Sequence, residues 1–196
     1  HQHGQVLAAS INLDAIAIVA KTSDDKIQVI SDGYDLITID ASDLSLVESE
    51  KETTTALIKG VAAGLKEHGH AVGGFKAYIT SDVLIGAGLS SSAAFETIIG
   101  TILSGLYNNG SVSAIEIAII GQYAENVYFG KPCGLMDQMA SSVGGLVYID
   151  FADPKNPIVE KVDYDFAHSG YTLCTIDSGA DHADLTDEYA AMPVEM

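Results

Sequence analysis

Apolar and polar positions change period several times along the chain, and each change marks an element. Residues Gln5–Ile11 and Asp14–Lys21 are runs rich in Val, Ile and Ala, and Lys26–Ser31 sets Ile27 and Val29 against Lys26 and Gln28. Asp35–Asp40 repeats the alternation, with Ile37 and Ile39 on one face and Leu36 and Thr38 on the other. A period of two is the mark of a half-buried strand. The separators Ser23-Asp24-Asp25 and Asp32-Gly33-Tyr34 have turn chemistry, so an antiparallel meander of four strands is the simplest expectation. Residues 41–52 are polar and acidic and read as a surface connection. From Thr53 to His68 the period lengthens: Ala56, Leu57, Val61 and Leu65 recur at three- and four-residue spacing, which predicts an amphipathic helix ending near Gly69.

Gly73–Ile79 again reads as a strand, and Ser81–Ile85 leads into a loop rich in Gly and Ser. A second helix is predicted from Ser91 to about Tyr107. Ile98, Ile99, Ile102, Leu103 and Leu106 give it a broad apolar face, which places it in the middle of the fold. Asn108-Asn109-Gly110 stops it, and Ser113 with Glu116 forms a capping box for a third helix running to Phe129. After the break Gly130–Gly134 comes a short helix, Leu135–Val143, stopped by Gly144-Gly145. Leu146–Phe151, Ile158–Tyr164 and Tyr171–Ile176 are strand-like, and Asp184–Met196 has helical character. Strands, then helices, then strands predict an α+β fold, and 196 residues suit one ordinary domain, or one and a half. With 47% apolar and 18% charged residues there is material for a substantial core.

Charge narrows the partners. The 27 Asp and Glu against 9 Lys and Arg give a net charge of −18, a field that repels polyanions and excludes nucleic acid. A nucleotide is compatible with that field, because backbone N–H groups and a metal ion can hold a small polyphosphate. The two cysteines, Cys133 and Cys174, lie far apart and form no framework, which suits a reducing, cytoplasmic setting. No apolar run reaches the roughly 18 residues of a membrane span. His1-Gln2-His3-Gly4 has neither the layout of a signal peptide nor an initiator Met, so the chain is expected to start partway through a gene product. His68-x-His70 has no Cys or Glu nearby at ligand spacing, and no set including His182 beside Asp181 and Asp184 reaches the usual transition-metal pattern. No Gly-x-Ser-x-Gly elbow occurs.

The chemistry concentrates in three stretches. In Gly86-Ala87-Gly88-Leu89-Ser90-Ser91-Ser92-Ala93-Ala94, glycines allow close backbone approach and serines stand at a helix start, where anions bind. That is a phosphate cradle, though not of the Walker type, since no Gly-Lys-Ser/Thr follows. The plain alternative is a strand-to-helix turn with a serine cap. Glu125 by itself reads as a helix-surface acid, and Asp137 by itself as a cap or solvated turn residue. Together the three meet the needs of phosphoryl transfer: a cradle, oxygen ligands for Mg²⁺, and an acid to orient the nucleophile.

Leu84-Ile85-Gly86-Ala87-Gly88-Leu89-Ser90-Ser91-Ser92-Ala93-Ala94 resembles the phosphate-binding motif of the GHMP small-molecule kinases. Glu125-Asn126-Val127-Tyr128-Phe129-Gly130-Lys131-Pro132-Cys133-Gly134-Leu135-Met136-Asp137-Gln138 resembles the galactokinase branch, a longer and more specific match in the expected order and separation. The resemblance implies an N-terminal domain over residues 1–196 like ribosomal protein S5 domain 2, a mixed sheet packed with helices, with a left-handed βαβ unit where pattern reasoning alone favours the right-handed one. It implies ATP-dependent phosphorylation of a monosaccharide at its anomeric hydroxyl, D-galactose to galactose 1-phosphate in the Leloir pathway of galactose catabolism. A related GHMP sugar kinase, or a regulator that binds galactose and ATP without catalysis, are the alternatives.

Residue by residue, the resemblance assigns Gly86, Ala87, Gly88, Leu89, Ser90, Ser91 and Ser92 to the ATP phosphates, and more weakly Ser31 to the nucleotide. It assigns Ser92 and Glu125 to Mg²⁺, Asp137 to the catalytic carboxylate, and Gly134, Asp137 and Tyr189 to the sugar. Leu84 stands where the family usually has Pro. The family's Arg and Glu-His-x-Asp segment and its third, Gly-rich motif have no counterpart in the chain. It is therefore expected to be an N-terminal domain clipped at both ends, monomeric and inactive alone.

Overall fold

Phe75, Ala77 and Ile79 alternate with Lys76, Tyr78 and Thr80, and the first three are buried while the second three are exposed. That alternation lets the strand β5 (Phe75–Ser81) sit inside a sheet with one face on the core. The computed structural model describes residues 3–83, 86, 88–172, 174, 176 and 191. Around β5 lie β2 (Ala15–Lys21), β3 (Lys26–Ser31) and β4 (Ile37–Asp40), in the order β2-β5-β3-β4. β5 runs antiparallel to β2, with Ile18 opposite Tyr78, and parallel to β3, with Val29 opposite Ala77. The sheet is mixed, as expected.

The expected meander does not form. Of its consecutive pairs only β3 and β4 are hydrogen-bonded, with Ile27 opposite Ile39. β1 (Gln5–Ala9) instead pairs with β6 (Leu146–Asp150), which pairs with β7 (Ile158–Val162), all antiparallel in a second sheet. The reason lies in a long-range insertion. The turn at Ser23-Asp24-Asp25 does reverse the chain, but β5 enters between the two strands it joins. Gly74, just before β5, passes under that turn: Thr22 N–H donates to its carbonyl at 3.1 Å, and a Cβ there would collide with the Asp24 carbonyl oxygen. Turn chemistry specifies reversal, not adjacency.

The helices follow the pattern more closely. α1 (Thr54–Glu67) is capped by Thr53, whose side chain accepts from Ala56 N–H at 3.3 Å. α2 (Ser91–Tyr107) buries Ala93, Thr97, Ile99, Ile102 and Leu103 and packs on α1, α3, α4 and β2, the central place its broad apolar face predicts. α3 (Ala114–Tyr123) is capped by Ser113, which accepts from Glu116 N–H at 3.1 Å. The side-chain half of the box goes elsewhere: Glu116 Oε1 accepts from His68 Nδ1 at 3.0 Å and His70 Nε2 at 2.9 Å, tying the end of α1 to the start of α3.

α3 continues into a π-helical stretch, Ala124–Phe129, a form that recurs at functional sites. Gly60 of α1 lets it come close, since a Cβ there would meet Ala124 Cβ at 2.7 Å. α4 (Met136–Val143) completes the set.

Two cores result. Ile27, Val29, Ile39, Phe75 and Ile79 of the larger sheet pack with Ile58, Leu65, Ile99, Leu103 and Ile120 of the helices. Ala8, Val147, Ile149 and Phe151 pack with Ala118, Leu135 and Met139 around the smaller sheet. α3 contributes to both and so joins them. The strand expected at Tyr171–Ile176 falls partly, and the helix expected at Asp184–Met196 almost wholly, outside the described residues. No helix of the described residues is long and apolar enough to cross a membrane.

Candidate active site

The loop between β5 and α2 turns through left-handed backbone. Gly86 and Gly88 have φ of 72° and 71°, and Ser90 has φ of 60° with ψ of 47°. Glycine adopts that region freely, but for serine it costs about 1 kcal/mol. The conformation turns Ser90 away from the helix it precedes. Its side chain makes no cap bond to α2, and its hydroxyl donates to Asp137 Oδ2 at 2.7 Å. The serine cap of the plainer reading is therefore not made. What stands at this point is a helix N-terminus, an anion-favouring end, without a cap from Ser90.

Two residues on, Ser92 Oγ donates to Glu125 Oε1 at 3.1 Å. Glu125 is 4% exposed, so the helix-surface reading is corrected. It continues the stripe of Ile117 and Gly121 at four-residue steps, and that stripe faces inward. The loop and the first turn of α2 thus present two hydroxyls, each tied to a different carboxylate, one exposed and one buried.

Behind Glu125 lies a sealed polar cluster that sequence reasoning left without a role. Glu96 is 0% and Gln138 1% exposed. Gln138 Nε2 donates to Glu125 Oε2 at 2.9 Å and to Glu96 Oε2 at 3.1 Å, and Cys133 Sγ lies 3.6 Å from the same nitrogen. Burial, and then the Glu125 carboxylate beside it, push the Glu96 carboxyl up to about 9, so Glu96 is neutral at pH 7. Burial likewise pushes the Cys133 thiol up, away from the reactive thiolate. Gly121 leaves the room: a Cβ there would stand 3.1 Å from Glu96 Oε2 and 3.3 Å from Gln138 Cγ. Glu96 was findable, because it shares the buried stripe of α2 with Ala93, Gly100 and Leu103, where an acid is out of place.

Asn126 and Gln122 hold the turn before α4. Asn126 Oδ1 accepts from Cys133 N–H at 2.7 Å, and Gln122 Nε2 donates to Cys133 O at 3.1 Å. That turn delivers Asp137, in the first turn of α4, to the loop. Asp137, Gly88, Leu89 and Ser90 share the lining of a cleft of about 710 Å³ with the β1–β2 connection and one face of α2. Gly134 lines a second, smaller cavity of about 210 Å³ with Cys133 and Phe151 instead. Ser31 ends β3 opposite Ile79, its carbonyl accepting from Tyr34 N–H at 2.9 Å. It sits at the end of the sheet from which the chain leaves toward the loop, but does not line the cleft. Ala87 and Tyr189 lie outside the described residues.

The donor set fits Mg²⁺. One hydroxyl and one carboxylate oxygen, adjacent and hard, suit an ion that keeps water and phosphate oxygens for the rest of its shell. Among the described residues no group of three or more His, Cys, Asp or Glu is placed to hold a metal ion.

Comparison with known proteins bears on the same residues. Residues 56–145, which contain the loop, Glu125 and Asp137, match the family model described as the GHMP kinases N terminal domain. The chain is 31% identical over 189 residues to the galactokinase of Streptomyces coelicolor, an alignment that covers 96% of this chain and 49% of that protein. It thus spans about half the length of that curated relative. The crystal structure of Lactococcus lactis galactokinase complexed with galactose superposes with a TM-score of 0.72 at 26% identity, covering 82% of this chain and 42% of that one. Methanococcus jannaschii mevalonate kinase, at TM-score 0.66 and 18% identity over 83% of this chain and 50% of that one, shares the fold.

Proposed function

We propose, for a chain that carries a GHMP kinase N-terminal domain, that the whole protein is a phosphotransferase moving the γ-phosphoryl group of ATP to the anomeric hydroxyl of a sugar, D-galactose in particular. The observation that carries this reading is the pair of loop hydroxyls bonded to the two carboxylates, Ser90 to Asp137 at 2.7 Å and Ser92 to Glu125 at 3.1 Å. The likeness to two galactokinases supports the choice of sugar.

In this reading the backbone of Gly86–Ser92, including Ala87, and the start of α2 hold the ATP phosphates. Ser92 Oγ and Glu125 Oε1 would hold Mg²⁺, which when bound offsets charge on the β- and γ-phosphate oxygens. Asp137, exposed in the cleft, orients the sugar hydroxyl and takes its proton as its oxygen bonds to the γ-phosphorus and the bond from that phosphorus to the ADP oxygen breaks, releasing ADP. Ser90 fixes the rotamer of that carboxylate from one side. Gly134 and Tyr189 are assigned to the sugar and Ser31 to the nucleotide. Positioning and charge stabilisation carry such a reaction, and the protein supplies both here.

A cytoplasmic setting, supported by the free thiols of Cys133 and Cys174, and a monomeric state belong to the same reading. The 196 residues by themselves span about half of the curated relative, and negligible turnover is expected from them alone.

The test is ADP formation by the whole protein against a panel of monosaccharides. Galactose-dependent turnover that falls at least a hundredfold in Asp137→Asn and in Ser92→Ala is the expected result. Turnover with another sugar only would move the substrate assignment. Galactose binding without turnover would make the protein a regulator.

A further inference from the structure

Three buried polar side chains stand in line behind the loop, and a core filler would not need them. An unpaired buried polar atom costs about 1–3 kcal/mol, yet Glu96 Oε1 and Gln138 Oε1 are buried and have no hydrogen-bond partner. The Gln138 amide nitrogen donates to one carboxyl oxygen of each glutamate, with Cys133 Sγ 3.6 Å from the same nitrogen. Glu125 is therefore engaged on both oxygens: Oε2 from within by Gln138, Oε1 from the loop by Ser92. A glutamate has three rotatable bonds, and anchors on both carboxylate oxygens restrict them.

We propose that Gln138 is a positioning residue for Glu125: its amide, anchored on Glu96, holds the Glu125 carboxylate with Oε1 turned to Ser92 and the loop. The proposal rests on the reading of Ser92 and Glu125 as the Mg²⁺ pair. Gln138 stands one residue after Asp137 on α4, so the same helix turn that delivers the exposed carboxylate also clamps the buried one. A partner that holds a ligand's far oxygen governs metal affinity without touching the metal, and removing such partners lowers affinity by about 10- to 100-fold.

The experiment measures ATP dissociation constants by calorimetry on the whole protein, with Mg²⁺ and with EDTA, and takes their ratio as the Mg²⁺ dependence. Gln138→Met keeps the length of the side chain and drops the amide. Its Mg²⁺ dependence is expected to fall about tenfold, with metal-free ATP binding unchanged. Ser92→Ala and Glu125→Gln separate the two layers of the argument. If both keep the wild-type ratio, the Mg²⁺ reading itself is wrong. If both lose it while Gln138→Met keeps it, the positioning role is wrong.

A double variant, Glu96→Leu with Gln138→Met, removes the carboxyl that the single variant leaves unpaired. It keeps the test decisive should Gln138→Met fold poorly. Recovery of the thermal midpoint with Mg²⁺ dependence still low supports positioning. Recovery of both would mean that Gln138 serves stability alone and would overturn the proposal.

Discussion

Glu96→Gln is the substitution that most directly probes the sealed cluster. The Glu96 carboxyl, 0% exposed, is pushed from its ordinary 4.5 to about 9 by burial first and the neighbouring Glu125 charge second. A folded-state value above the unfolded one means that Glu96 contributes most below pH 4.5, and that stability is lost as pH rises toward 9. Each pH unit in that window costs about 1.4 kcal/mol, because the unfolded chain releases a proton that the folded one keeps. At pH 7 the loss is about 3 kcal/mol. Glutamine reproduces the neutral acid: its carbonyl can still accept from Gln138, and it does not titrate. The gap in unfolding free energy between Glu96→Gln and the parent protein should therefore widen with pH. Between pH 5 and pH 8 the widening amounts to about 4 kcal/mol. Urea unfolding followed by circular dichroism, in EDTA so that no cation alters the Glu125 side, measures it at four pH values. Curves that stay parallel within about 0.5 kcal/mol would show that Glu96 is ionised in the folded protein, and the argument from burial would be refuted.

Two glycine substitutions should move stability in opposite directions. Gly60→Ala puts a Cβ 2.7 Å from Ala124 Cβ and 2.8 Å from its Cα, and should cost about 2 kcal/mol despite the better helix propensity of Ala. Gly105→Ala in α2 meets nothing within 4 Å and should add up to about 1 kcal/mol; urea midpoints of both check the contrast. Ser90→Ala removes the bond to Asp137 and should lower kcat about tenfold, with a thermal midpoint close to the parent's, since the site is exposed. Hydrogen bonds from His70 and His68 outweigh burial and hold the Glu116 carboxyl below its ordinary range, so its stabilisation is present above about pH 4.5 and lost as pH falls further. Glu116→Gln should thus lower the urea midpoint at pH 6, by a margin that narrows as pH falls below about 4.5.

The elements were legible in the chain because their causes are local. β5 alternates residue by residue, Thr53 and Ser113 cap the helices they precede, and the α2 stripe recurs at helical spacing. The strand order was not legible, because nothing in residues 15–31 records that a segment 44 or more residues later will insert between β2 and β3. The trace of that insertion is Gly74, the residue whose missing Cβ lets the strand pass under the Asp24 turn. A lone glycine before a strand is common in ordinary turns, so by itself it does not point to an insertion.

The site divides along the same line. The loop, Glu125 and Asp137 were legible as residue types that one chemistry needs, each supplied by its own stretch. Their coupling was not, since it depends on a backbone angle and on burial. Ser90 would cap α2 if its φ were negative; at +60° it turns to Asp137 instead. Glu96 lies on the inward-facing stripe of α2 and Glu125 on the π-helical continuation of the α3 stripe, and only the packing of those helices brings both under one amide of α4. The placement follows from Gly121. A Cβ there would stand 3.1 Å from Glu96 Oε2 and 3.3 Å from Gln138 Cγ, so both side chains must give by a few tenths of an ångström, which loosens the inner anchor of Glu125. Gly121→Ala should therefore lower the Mg²⁺ dependence in the same direction as Gln138→Met but by less, through the clamp and with no contact to the loop. If the Mg²⁺ dependence of ATP binding stayed at the parent's value in Gly121→Ala while stability fell, the clamp would not govern Glu125.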